Sequence, residues 1–136
     1  MQIKCILNRV QKFQSFVYKS ARLIEEADVV VLLVDIIARA NSWLICSTCG
    51  RSCRGYDTLK ARRFEFVPIW GIKVFFIYVM RRCDCPDCGV VVEAVPWAEG
   101  KQQLTKTYAW FLAGWAKRMS WKEVARSFKT TWDHVF

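Results

Sequence analysis

The sequence predicts an α+β fold, with an antiparallel, zinc-ribbon-like β region followed by a small helical region of helix-turn-helix form. Three observations predict it. The segments "ICSTCGRSC" and "RRCDCPDCGVVVE" each contain a C-x2-C-G turn, Cys46/Cys49 with Gly50 and Cys85/Cys88 with Gly89. Between and around these turns run short apolar segments of strand character. From about Thr105 the apolar spacing changes to three and four residues, the period of a helix.

Taken in order, Ile3, Leu7, Val10, Phe13 and Val17 recur at helical spacing and predict a first short helix. "SFVYKSARLIEE" partly alternates, as a strand does. "DVVVLLVDIIARA" is rich in β-branched residues and suits a strand buried on both faces. "ANSW" is a turn signal. "LKARRFEFVPIW" and "IKVFFIYVMRR", joined near Gly71, predict a hairpin. "VVVEAV" follows the second cysteine turn and ends at Pro96. Residues 1–98 therefore form a β-rich metal-binding domain with its clasp at 46–89. "PWAEGKQQ" marks the boundary.

Residues 104–136 form the helical region. Tyr108, Phe111, Leu112, Trp115 and Met119 share one helix face, with Lys117 and Arg118 near its end, where cations suit the dipole. Ser120 and Glu123 make a capping box, with Met119 and Val124 placed as its hydrophobic staple, so a second helix starts at once and runs to about Phe128. Thr131 caps a third helix, "WDHVF", that stops after five residues. Helix, abrupt turn, helix is the shape of a helix-turn-helix.

Composition bounds the function. The 136 residues suit one ordinary domain or two small ones, and 54% hydrophobic and 15% aromatic residues exclude a disordered chain. The net charge of +9 is uneven: +2 over residues 1–50, +6 over 51–82, −4 over 83–100 and +5 over 101–136. A basic surface points to a polyanion, most often nucleic acid. The opening "MQIKCILNRVQKFQ" lacks the apolar core of an export signal, and the apolar runs are about half the roughly twenty residues a membrane-spanning helix needs. A reducing cytoplasm and no membrane partner are expected. In that compartment paired cysteines act as metal ligands sooner than as disulfides.

A structural zinc site takes four soft ligands in a tetrahedron, commonly from two C-x2-C turns. Cys46, Cys49, Cys85 and Cys88 meet that pattern, and one structural zinc ion per chain is expected. The 35 residues between Cys49 and Cys85 fit a ribbon carrying a long hairpin. Cys53 and Cys83 lie close enough to compete as ligands, with Cys83 expected near the rim of the site. Cys5 is expected in the core, and His134, the only histidine, on the solvated surface of the last helix. A redox pair fits less well, because neither C-x2-C lies between a strand and a helix.

The run from "CSTCG" through "CPDCGVVVEAVPWAEGKQQLTKTYAWFLAGWAKRMSWKEVARSFKTTWDHVF" resembles the N-terminal part of bacterial insertion-sequence transposases of the ISL-three type. "CGVVVEAVPWA" and "MSWKEVARSF" carry the resemblance, which covers residues 46–136. "ILNRVQKFQSFVY" is similar to the family's N-terminus. In that family a four-cysteine zinc segment precedes a helix-turn-helix and a much larger DDE-type catalytic domain. The resemblance implies zinc on Cys46, Cys49, Cys85 and Cys88, DNA contact by residues 120–136, a tight helix-packing role for Ala125 and a buried one for Val135. It departs from the family at Lys129, where many such turns have glycine, and in its short last helix.

The implied function is recognition of the terminal inverted repeats of a mobile element in double-stranded DNA, in a bacterial, nucleoid-associated setting. Lys122, Arg126 and Lys129 would contact phosphates, with Thr131, Trp132, Asp133 and His134 at the start of a helix entering the major groove. Arg62, Arg63, Lys73, Arg81 and Arg82 would extend the phosphate track, or else form an ordinary solvated strand face. No enzyme activity is expected, because the family's catalytic carboxylates have no counterpart here. The alternative is a truncated regulatory or interaction fragment that pairs with a full-length transposase, or with itself, and modulates it.

Overall fold

A computed structural model describes residues 3–100, 102–117 and 121–127. The architecture is α+β: a six-stranded mixed sheet with few helices. Helix α1 (Ile3–Val10) leads into β1 (Phe16–Glu26), β2 (Val29–Ala38), a two-residue β3 (Leu44–Ile45), the long β4 (Ser52–Ile69), β5 (Ile72–Cys85) and β6 (Gly89–Val92). Helices α2 (Lys106–Ala116) and α3 (Trp121–Ser127) follow. Among the described residues no helix is long and apolar enough to cross a membrane.

Helix α1 buries Leu7 and ends at Val10, earlier than the spacing of Phe13 and Val17 predicts. Phe16 and Tyr18, two apart, both enter the core as strand residues, so Val17 belongs to β1. Cys5 is exposed on α1 and not in the core, because Leu7 is the buried residue of so short a helix. A turn with left-handed Ala27 and Asp28 then closes the β1–β2 hairpin, the backbone pattern that matches strand twist in two-residue turns.

The sheet has the order β1-β2-β5-β4-β3, with β6 also on β5. The expected antiparallel arrangement holds for every strand pair but one. Strands β2 and β5 run parallel, from Val31 opposite Lys73 to Asp35 opposite Ile77. The reason is topological. The β4–β5 hairpin, turning at Trp70 and Gly71 with φ of 50° and 76°, brings β5 back beside β2 in the same direction. On β5, β2 pairs with residues 73–77 and β6 with residues 82–85.

One face of the sheet carries the main core. Phe16, Tyr18, Val34, Ile36, Phe64, Phe66, Val74, Phe76 and Tyr78 lie beneath Leu7, Phe13, Val95 and Trp97. Trp97 is the hub, with ring centroids 5.0 Å from Phe16, 5.1 Å from Tyr78 and 5.7 Å from Phe64, all edge-on, the geometry that aromatic quadrupoles favour. Val31 and Leu33 are buried on the face of β2 opposite Val34 and Ile36, so the middle of the strand is covered on both faces as expected, while Val29, Val30 and Ile37 near its ends stay exposed.

The helices join the sheet through residues 103–105. Glu65 N donates to Gln103 O (2.7 Å) and Thr105 N to Glu65 O (2.9 Å). Thr105 also caps α2, its Oγ1 accepting from Tyr108 N at 3.2 Å. Tyr108 and Leu112 of α2 bury Val124 of α3 in a second, small core, with Phe111 half-buried against it and Trp115 more exposed. The expected cap at Ser120 and the third helix from Thr131 lie outside the described residues.

Candidate metal centre and basic surface

Each cysteine turn is built in the same way. Cys46 ends the β3 hairpin edge, its N–H donating to Arg51 O (2.8 Å), and the turn closes with Gly50 N donating to Cys46 O (2.9 Å). Gly50, at φ 77°, adopts a left-handed backbone that a side chain would strain. Cys85 ends β5 and pairs with Gly89, at φ 78°, across the second turn. Cys46 is bridged to Glu93, and Ala94 N donates to Ile45 O (2.8 Å), so the chain after β6 sews the two turns together.

The four sulfurs of Cys46, Cys49, Cys85 and Cys88 all lie within 4.8 Å of one another, and Cys49 Sγ is 3.6 Å from Cys85 Sγ. Thiolates about 2.3 Å from a tetrahedral metal stand roughly 3.8 Å apart, so small side-chain movements close the set on an ion. These four residues could hold a metal ion.

Electrostatics point the same way. The Cys49 and Thr48 backbone N–H groups aim at Cys46 and pull its thiol down to about 6. The neighbouring Cys49 and Cys46 sulfurs, with burial, push Cys88 up to about 12. The Arg51 N–H draws Cys49 down, but burial and the thiols of Cys85 and Cys46 raise it on balance. The protein alone thus stabilises one thiolate and resists further negative charge, which a bound cation would reverse.

Cys53 and Cys83 form an inner layer with Leu44, Cys46 and Cys85. Cys83 is fully buried, not at the rim, because residues two apart on a strand share a face and Cys83 points inward with Cys85. Burial first, then its contact with Cys53, raises its thiol to about 12. A buried thiol in such surroundings is a packing group.

The five hairpin cations expected on the phosphate track, Arg62, Arg63, Lys73, Arg81 and Arg82, are all engaged. Arg63 holds Glu26 with two hydrogen bonds of 3.0 Å. Arg82 pairs with Asp57 and keeps that carboxyl below its usual range. Lys73 lies 3.6 Å from Glu65. Arg62 donates to the carbonyls of Gly100 and Gln102 and stacks 4.6 Å from the Phe64 ring centroid. Arg81 forms a two-pronged pair with Glu93, at 3.0 and 2.8 Å.

Sequence reasoning missed the role of Glu93, the partner of Arg81. Its side chain is only 1% exposed and also accepts from the Tyr78 hydroxyl and the Arg81 N–H. The available signal was one acid inside the β-branched run "VVVEAV", where an unpaired charge would be costly. Arg51 and Asp87, which pair across the two cysteine turns, were likewise unread.

On α3, Lys122 and Arg126 are exposed while Val124 is buried. Lys129, Thr131, Trp132, Asp133 and His134 lie outside the described residues. Compared with known proteins, the chain matches no family model, no curated protein and no solved structure.

Proposed function

We propose that this chain is a DNA-binding module clasped by one structural zinc ion and similar to the front portion of ISL-three-type transposases, where it would recognise the ends of a mobile element. The observation that carries the reading is the convergence of two C-x2-C-G turns, from the two ends of the β4–β5 hairpin, on one four-sulfur site. Zinc suits it because four cysteines close a tetrahedron and leave no position for water. The ion would hold the turns together and supply no chemistry. DNA contact would fall to α3, held on the sheet through α2 and residues 103–105, on which Lys122 and Arg126 are four residues apart on one exposed face. With a third helix this pair would complete the helix-turn-helix.

No strand-transfer role is assigned. Two-metal phosphodiester chemistry needs clustered carboxylates, whereas Glu26, Asp35, Asp57, Glu65, Asp87, Glu93 and Glu99 each face a lysine or arginine. A second reading, a fragment that regulates an intact transposase, draws on Trp110, which stands 79% exposed on α2 as a partner contact would.

The test is metal content by elemental analysis, together with binding of the metal-replete chain to a labelled element end and to random duplex at two salt concentrations. One zinc per chain with salt-dependent binding supports the first reading. Zinc-loaded protein that binds neither duplex, yet slows an intact transposase, supports the second.

A further inference from the structure

The outer edge of β1 is open. Among the described residues β1 begins the strand order and pairs with no strand but β2. Its one irregularity, between Tyr18 and Ser20, where Lys4 Nζ of α1 donates to Lys19 O (3.2 Å), leaves residues 20–26 in unbroken register with β2. Natural sheets blunt such an edge with proline, bulges or inward charges. Residues 20–26 have neither proline nor bulge, and their one core-side charge, Glu25, shares a face with Ala21 and with Leu23, which is 64% exposed.

The strand also carries a polarity. Lys19 and Arg22 lie in its first half, Glu25 and Glu26 in its second. A parallel copy would set like charges beside each other, whereas an antiparallel copy sets each basic half against an acidic half. Arg22 is already held by Asp35, and Glu26 by Arg63. Among the described residues Lys19 and Glu25 are exposed and in no ion pair.

We infer that the occupant of this edge is a second copy of the chain, joined antiparallel through β1 about a twofold axis, so that the sheet continues from one protomer into the other. Lys19 of each protomer then faces Glu25 of its partner, Leu23 faces Ala21, and the axis passes between the two Arg22 side chains, each neutralised by Asp35 of its own protomer. The interface is isologous, and pairing closes it at two copies. This inference is independent of what the chain binds.

The test is sedimentation of the metal-replete chain over a range of concentrations and salt. The expected result is a reversible monomer–dimer equilibrium, tighter at low salt. Lys19→Glu and Glu25→Lys should each weaken it by about tenfold, because each replaces two symmetry-related attractions by repulsions. The Lys19→Glu/Glu25→Lys double variant should restore it. Thermal unfolding and metal content should be unchanged in all three, since both positions are exposed, and Lys19→Gln with Glu25→Gln gives milder substitutes wherever a reversal alters them. A chain that stays monomeric at every concentration overturns the inference. So does a dimer indifferent to both single changes, or one that the double variant does not restore.

Discussion

Arg51 of the first cysteine turn and Asp87 of the second form an ion pair, with Nη1 2.6 Å from Oδ2. It spans the four sulfurs from outside, and both side chains are largely exposed. Exposed pairs contribute on the order of 0–1 kcal/mol, whereas a structural zinc site of this kind binds with roughly 10–16 kcal/mol of apparent free energy. Arg51→Ala should therefore lower metal affinity by no more than about fivefold, a limit that follows from that range. Cys85→Ser should abolish stoichiometric binding. Competition against a chelator distinguishes the two, and full metal content in Cys85→Ser would transfer the ligand role to Cys83.

Glu93 leads to a second expectation. Removing its charge leaves Arg81, itself mostly buried, without a counter-ion, and disturbs the Tyr78 hydroxyl as well. Breaking a buried pair from one side costs about 3–5 kcal/mol. Glu93→Gln, which keeps shape and one acceptor, should cost roughly 3 kcal/mol in denaturant unfolding, at the low end of that range. Because Cys46 is bridged to Glu93, the same variant should release metal faster to a chelator. A loss below about 0.5 kcal/mol, the scale of an ordinary surface change, would show the pair to be incidental.

Alkaline titration tests the cores. Burial raises Tyr18 to about 12 and also raises Tyr78 and Tyr108, with Glu93 adding to the first cause at Tyr78 and Glu65 at Tyr108. An unfolded tyrosine ionises near 10. The folded state therefore has its full advantage below about pH 10 and loses it as the pH rises through about 12. Tyrosinate absorbance from these three residues should appear together, in the same narrow range in which near-ultraviolet circular dichroism is lost. Smooth ionisation near pH 10 with the dichroism intact would contradict the packing described.

The ion pairs of the hairpin alter what DNA binding should look like. A cation that neutralises a phosphate contributes about −0.9 to the log–log salt slope, but Arg63 and Arg82 already hold Glu26 and Asp57. Lys122→Ala and Arg126→Ala should each reduce the slope by close to one phosphate contact and weaken binding to all sequences alike. Arg63→Ala and Arg82→Ala should change it by clearly less. A larger effect from the hairpin pair would place the DNA track on β4 and β5.

The cysteine site was legible because C-x2-C-G is a local motif: two residues and a glycine define each turn, and the two turns had only to meet. The Gly71 hairpin was legible for the same reason. What escaped depended on distant partners. Nothing near "VVVLLVDIIA" says that its neighbour is β5 and runs parallel. The spacing of Phe13 and Val17 fits a helix as well as it accompanies a strand, and only the burial of Phe16 and Tyr18 decides between them. The hairpin cations looked free because Glu26, Asp57 and Glu93 are remote or cross-strand in sequence.

The parallel pairing of β2 with β5 also sets a delay during synthesis. Lys73 is made about forty residues after Val31, its partner, which at 5–20 residues per second is roughly two to eight seconds. For that interval "VVVLLVDIIA" has only β1 beside it, and its other edge is an apolar surface of the kind that chaperones retain. The hairpin must emerge before the sheet can close, and Cys85 and Cys88 emerge later still. Metal supply to the nascent chain therefore matters only after the strands are in place, and a shortage would leave a folded sheet with an open end.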